Sequence, residues 1–136
     1  MPTIFTRIIQ GELPGRFVWR DDRCVAFLSI NPLASGHTLV VPIAEVDQWT
    51  DLPADLAAHL MEVAHTIGQA QVRAFDPRRV GLIVAGFEVP HCHLHVIPIR
   101  DMSDLDFSNA ALDPDPVALA EAADRLRSEL GSDGAA

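Results

Sequence analysis

The run "VPHCHLHVIP" at residues 89–98 carries histidine at every second position: His91, His93 and His95. A period of two is that of an extended strand, whose side chains point alternately to opposite faces. Three imidazoles then share one face, each roughly 7 Å from the next, while Cys92, Leu94 and Val96 share the other. One face is apolar and belongs against a core. The other carries chemistry.

The rest of the chain supplies a sheet for this strand. "RFVWRD" and "CVAFLSI" are rich in Val and Phe and flank a "DDR" turn, so they read as two strands. "NPLASG" is a loop, broken by Asn-Pro and Gly. "HTLVVPI" is nearly continuous in apolar residues and reads as a central strand. From Leu52 to Phe75 the period becomes helical, with Leu56, Leu60, Val63 and Ile67 on one face. Asp51 is placed to cap that helix, with Pro53 in its first turn. "VGLIVAG" and "CHLHVIP" are the fourth and fifth strands, linked by "FEVP". A short helix in "TRIIQGEL" closes near Gly11, and "VALAEAADRLRSEL" forms a last helix ending at Gly131. The expected architecture is α+β: a five-stranded antiparallel sheet with one long helix and a C-terminal helix. At 136 residues this is one domain, with its core at about 4–100 and an acidic extension over 101–136.

The net charge of −9 argues against non-specific binding to nucleic acid or to an anionic membrane. Residues 101–136 hold nine Asp or Glu against Arg125 and Arg127, which reads as a solvated acidic surface. No apolar run reaches the length of a membrane span, and the opening residues lack the basic and apolar regions of a secretory signal. Two cysteines, Cys24 and Cys92, are too few for a disulfide framework. These features point to a reduced, cytoplasmic protein.

His59 and His65, in the long helix, read as ordinary surface or packing residues. The row at 91, 93 and 95 does not. Two histidines at i and i+2 on a strand can hold one zinc, but the outer pair of three lies about 13 Å apart. Further ligands would then come from elsewhere, with Glu88 and Asp101 nearby. Covalent catalysis is the other reading. A neutral imidazole attacks phosphorus well when one neighbour orients it and another handles the leaving group's proton. On the residues alone both readings stand.

The sequence "HCHLHVIP" resembles the alternating His-φ-His-φ-His-φ-φ signature of the histidine triad (HIT) superfamily. "IFTRIIQGELPGRFVWRDDRCVAFLSINPLASGHTLVVP" is similar to that family's N-terminal half. The resemblance implies a HIT-like fold, a homodimer, and a nucleotide hydrolase or nucleotidyl transferase that needs no cofactor or catalytic metal. It makes His93 the nucleophile that attacks an α-phosphorus, and His95 the donor to a phosphate oxygen, protonated to stabilise charge. His91 would orient His93, and His37 is the fourth histidine behind the triad. Ile4, Phe5, Ile8 and Phe27 would wall the base pocket.

Three departures qualify that assignment. Ser29 stands where many members carry an Asp or Asn that grips the ribose hydroxyls. "AGFEVPH" is a compressed version of the family's phosphate loop, so Phe87 falls near a phosphate-contacting Gln and Glu88 near a Ser or Thr. Many bacterial relatives bind a structural zinc through C-x-x-C and a later histidine. Thr3, Thr6 and Glu45 occupy those positions, so that zinc is expected to be missing. The alternatives are a nucleotide-binding protein with little turnover, or a metal-binding sheet protein. Because the row faces outward from the strand, replacing His93 with Ala is expected to leave the fold intact.

Overall fold

A computed structural model describes residues 2–131; residues 132–136 of the acidic extension lie outside the described residues. Thr3 caps helix α1 (Ile4–Ile9), its hydroxyl accepting the Thr6 N–H at 3.1 Å. Strands β1 (Phe17–Arg20) and β2 (Cys24–Leu28) are joined by a turn built on Asp21. One oxygen of its carboxylate accepts the backbone N–H groups of Arg23 and Cys24, both at 2.8 Å. Strand β3 (Thr38–Pro42), helix α2 (Ala54–Phe75), β4 (Arg79–Ile83), β5 (Leu94–Ile99) and helix α3 (Pro116–Leu130) complete the element order. The sheet runs β1-β2-β3-β5-β4, antiparallel throughout, in the α+β arrangement expected.

Alternation along the strands gives the sheet two faces. Cys24, Ala26, Leu28, Val40, Leu94 and Val96 face a core closed by Leu60, Val63 and Ile67 of α2 and Ala123 and Leu126 of α3. Val25, Phe27, Leu39 and Val41 face the other way and pack on Phe5 of α1. The near-continuous apolar content of β3 is thus explained by burial on both sides, and β3 lies in the middle of the sheet.

Several boundaries differ from the sequence reading. Asp51 does not cap α2; it sits in a 3₁₀ turn (Trp49–Asp51), and Pro53 takes the N-cap position without a side-chain bond. Strand β2 stops at Leu28, leaving Ser29 and Ile30 outside it. The link between β4 and β5 spans 84–93, longer than "FEVP", so His91, Cys92 and His93 precede the strand proper. The acidic stretch after Arg100 holds two 3₁₀ turns, Met102–Leu105 and Phe107–Asn109. No helix among the described residues is long and apolar enough to cross a membrane.

Gly36 holds the entrance to β3. Its φ is +90°, and its carbonyl accepts from Gln71 Nε2 at 2.9 Å and from the Thr38 hydroxyl at 2.7 Å. A Cβ on Gly36 would overlap the Phe75 ring, whereas one on Gly11, at φ +85°, would meet open space. Both substitutions with Ala incur the left-handed backbone penalty, but only Gly36→Ala adds overpacking. We expect Gly36→Ala to cost about 2–4 kcal/mol and Gly11→Ala about 1 kcal/mol. Urea unfolding midpoints of the two variants check this; equal losses would contradict it.

Candidate active site

The triad is pinned at its first member. His91 is fully buried, and its Nε2–H donates to the Pro42 carbonyl at 2.7 Å. That fixes the tautomer, so Nδ1 accepts from the Thr3 hydroxyl at 2.6 Å. Thr3 in turn donates its backbone N–H to Glu45 at 2.8 Å, and the Thr6 hydroxyl lies 3.3 Å from that of Thr3. Thr3, Thr6, Glu45 and His91 therefore meet where the resemblance would put a structural zinc. They do so as a hydrogen-bonded cluster of two hydroxyls, one carboxylate and one imidazole already engaged at both nitrogens. That donor set does not fit a tetrahedral site of thiolates and imidazoles.

With its ring held, His91 presents its backbone carbonyl to His93, whose Nδ1–H donates to it at 2.8 Å. The lone pair of His93 is thereby left on Nε2. His95 is set by a second chain of bonds. The Leu33 N–H donates to His37 Nδ1 at 3.0 Å, so His37 carries its proton on Nε2 and donates to His95 Nδ1 at 2.9 Å. His95 then bears its proton on Nε2. One ring offers a lone pair, and its neighbour, with centroids 4.8 Å apart, offers an N–H.

Burial keeps these rings neutral. It pushes His95 down to about 3, helped by the charges His93 and His37 would carry, and His37 down to about 4, helped by His93. His93 is lowered too, again chiefly by burial, while the bond to His91 and the Glu88 carboxylate act in the opposite direction. In the free protein neutral His95 thus presents its Nε2–H as a donor.

A pocket of about 380 Å³ opens onto His93, His95 and His37. Ile4, Phe5, Ile8, Phe27, Ser29 and Glu88 all line it. Phe87 does not; it is 98% exposed and points away. The triad is also not outward-facing. His93 is only 3% exposed and packs edge-on against Phe5 at 4.8 Å, so its removal costs packing as well as chemistry. Sequence reasoning missed Phe107, Ala110 and Leu112, which reach the same pocket from beyond Arg100. Phe107 sets its ring 4.9 Å from that of His95. Its only signal in the sequence is an apolar aromatic in an otherwise acidic stretch. Among the described residues, no arginine lines the pocket.

Residues 10–102 match the HIT domain, and the chain belongs to that family. It is 39% identical over 99 residues to an uncharacterised HIT-like protein of Methanocaldococcus jannaschii, covering 70% of this chain and 77% of that one. It is 31% identical over 103 residues to the adenylylsulfatase HINT3 of Arabidopsis thaliana, covering 72% of this chain and 52% of the relative. The crystal structure of a zinc-bound histidine triad family protein from Mycobacterium smegmatis superposes with a TM-score of 0.79. That pair is 27% identical, covering 98% of this chain and 96% of the other.

The depressed histidines make stability depend on pH. Unfolded imidazoles take a proton near 6.5, while folded His37 and His95 refuse it until about 4 and about 3. The unfolded state binds more protons across that window, so stability is full above pH 6.5 and lost as pH falls toward 4. The expected loss is on the order of 3 kcal/mol for each of the two histidines by pH 4. Urea unfolding across pH 7 to 4 measures it, and His95→Gln should flatten the slope. A wild-type stability constant over that range would contradict the assignment.

Proposed function

We propose that the protein is a nucleotide hydrolase or nucleotidyl transferase acting on phosphoanhydrides or phosphoramidates of nucleoside monophosphates. The observation that carries this reading is the pair of opposed tautomers. His93 holds a lone pair on Nε2 because its Nδ1 proton is committed to the His91 carbonyl, and His95 beside it holds an Nε2–H. His93 Nε2 attacks the α-phosphorus as the bond to the leaving group breaks, and solvent protonates the departing oxygen or nitrogen. Water then cleaves the N–P bond, releasing the nucleoside monophosphate and restoring neutral His93. His95 donates to a non-bridging oxygen in both steps, where preorganised donors in a dry pocket act most strongly. Membership in a family that includes an adenylylsulfatase supports the hydrolytic reading.

The apolar wall of Ile4, Phe5, Ile8 and Phe27 suits a base, and Ser29, which lines the same pocket, is taken as the ribose contact. The Ser29 oxygen accepts the Asn31 N–H at 3.2 Å, which leaves its hydroxyl hydrogen to donate. The same reading takes the chain as a cytoplasmic homodimer. Strand β4 lies at a sheet edge, with exposed Leu82 on it and Met61 and Val72 on α2. The second reading, binding with little turnover, draws on Phe107 against His95 and on the lack of a cation among the described lining residues.

Denaturing the enzyme in alkaline detergent during turnover of a radiolabelled nucleoside phosphoramidate, because a histidine N–P bond survives base and not acid, should trap a nucleotidyl adduct that His93→Ala lacks. Turnover should fall to background in the same variant, with the fold checked by circular dichroism. Activity within a few-fold of wild type would overturn the covalent route. Binding with no turnover and no adduct would favour the second reading.

Selectivity follows from Ser29 and Glu88. A single serine grips the ribose loosely, so the ribose preference over 2′-deoxyribose should stay below about 100-fold in kcat/KM (roughly 2.7 kcal/mol). Glu88, unopposed by any lining arginine, should favour neutral or amine leaving groups over polyphosphates. Steady-state kinetics on a phosphoramidate and a dinucleoside polyphosphate, each in both sugar forms, measure both effects. A strong polyphosphate preference would show the electrostatic argument to be wrong.

A further inference from the structure

A second cluster of chemistry-bearing side chains lies on the helix face of the sheet, away from the histidine row. Asp21 at the β1–β2 turn, Cys24 at the start of β2 and His59 in α2 bring together a carboxylate oxygen, a sulfur and a ring nitrogen. These atoms all lie within 4.8 Å of one another. His59 Nε2 is 2.7 Å from Asp21 Oδ2, and Cys24 Sγ is 3.6 Å from the same oxygen. The other oxygen, Oδ1, is committed to the backbone N–H groups of Arg23 and Cys24, which fixes the carboxylate plane. Trp19 Nε1–H donates to Oδ2 at 2.8 Å from the outer side.

Oδ2 accepts from Trp19, His59 and Cys24 while Oδ1 takes the two backbone N–H groups, so the carboxylate meets donors only, and His59 donates to it from Nε2. Two of those hydrogens, the His59 N–H and the Cys24 S–H, converge on Oδ2 from atoms that can themselves bind a metal. A cation at that point of convergence would replace both.

We propose that Asp21, Cys24 and His59 form a three-residue site for a borderline transition-metal ion, Zn²⁺ first, with water as the fourth ligand. One carboxylate, one thiolate and one imidazole balance a divalent charge, and a mixed S/N/O set selects zinc or cobalt over calcium or magnesium. Ligand atoms about 2.0–2.3 Å from a tetrahedral zinc lie roughly 3.3–3.7 Å apart. The sulfur–oxygen separation of 3.6 Å already fits, and the His59 side chain, about a quarter exposed, has room to turn its nitrogen from the 2.7 Å hydrogen bond to a ligand spacing. On binding, the thiol proton leaves to solvent and the His59 proton moves from Nε2 to Nδ1. The metal then bonds Sγ, Nε2 and Oδ2, and the Trp19 N–H orients the carboxylate as an outer partner does in metal sites. Such an ion would tie the β1–β2 turn to the second turn of α2, independently of nucleotide chemistry.

The test is titration of the full chain with Co²⁺ under reducing conditions, followed by absorbance. Stoichiometric binding should give tetrahedral d–d bands together with a thiolate-to-cobalt charge-transfer band, and added Zn²⁺ should bleach both. Cys92→Ser, which removes the other thiol, should keep the charge-transfer band; Cys24→Ser should lose it. His59→Gln should weaken binding at least about 10-fold. Absence of the charge-transfer band in the wild type, or its persistence in folded Cys24→Ser, overturns the site. Should Cys24→Ser fail to fold, undiminished cobalt affinity in His59→Gln overturns it equally. A cobalt spectrum that Zn²⁺ cannot displace would overturn the choice of ion.

Discussion

The pairing of β3 with β5 is the constraint on which the site depends. The ladder runs Thr38↔Val96, Leu39↔His95, Val40↔Leu94 and then stops. Beyond it, side chain and backbone share the work: the His91 ring donates to the Pro42 carbonyl, and the Cys92 N–H donates to the Val46 carbonyl at 2.7 Å. The strand is thus held to β3 through a histidine ring at the point where the backbone ladder has ended. This arrangement frees the His91 carbonyl for His93. Without it, the tautomer of His93 would be undetermined.

The second consequence is electrostatic. Three imidazoles and His37 occupy one face of the sheet with almost no water, and mutual repulsion would be severe if more than one were charged. The solution is a directed row of neutral rings, each nitrogen assigned by its partner: Leu33 to His37, His37 to His95, Thr3 and Pro42 to His91. No imidazolium is needed to present a donor beside a lone pair. A buried array of this kind is stable because every ring nitrogen facing protein has a partner, which is the condition for polar groups in a low-dielectric interior.

Much of this was legible because strand periodicity is a local property. The alternation of residues 91–96, the helical spacing of Leu56, Leu60, Val63 and Ile67, and the double burial of β3 all follow from neighbours along the chain. What escaped depends on residues far apart. The burial of the triad comes from α1 folding Phe5 over it. Phe87 was misplaced because a compressed loop can bulge outward, and only three dimensions show which of two adjacent residues turns in; here Glu88 does. His59 read as an ordinary helix residue because its partner Asp21 is 38 positions away.

The acidic stretch after Arg100 shows the same limit in terms of charge. By composition it reads as solvated surface, yet its acids have local tasks. Asp101 caps the turn at Met102–Leu105, Asp106 caps that at Phe107–Asn109, and Asp115 caps α3. Asp104 accepts the Arg100 N–H at 2.7 Å. Together these caps give shape to a segment with too few apolar residues to form a core of its own. That shape is anchored on the loop after β2, where Asn31 Nδ2 donates to the Ala111 carbonyl at 2.8 Å and the Ala111 N–H donates to Pro32 at 3.1 Å. Of its apolar residues, Phe107, Ala110 and Leu112 line the pocket, whereas Leu105 packs against Gly81 and Met102 is exposed. The match to the HIT domain ends at residue 102, and the wall of the site extends beyond it. The carboxylates hold the turns, and the turns deliver an aromatic ring to His95.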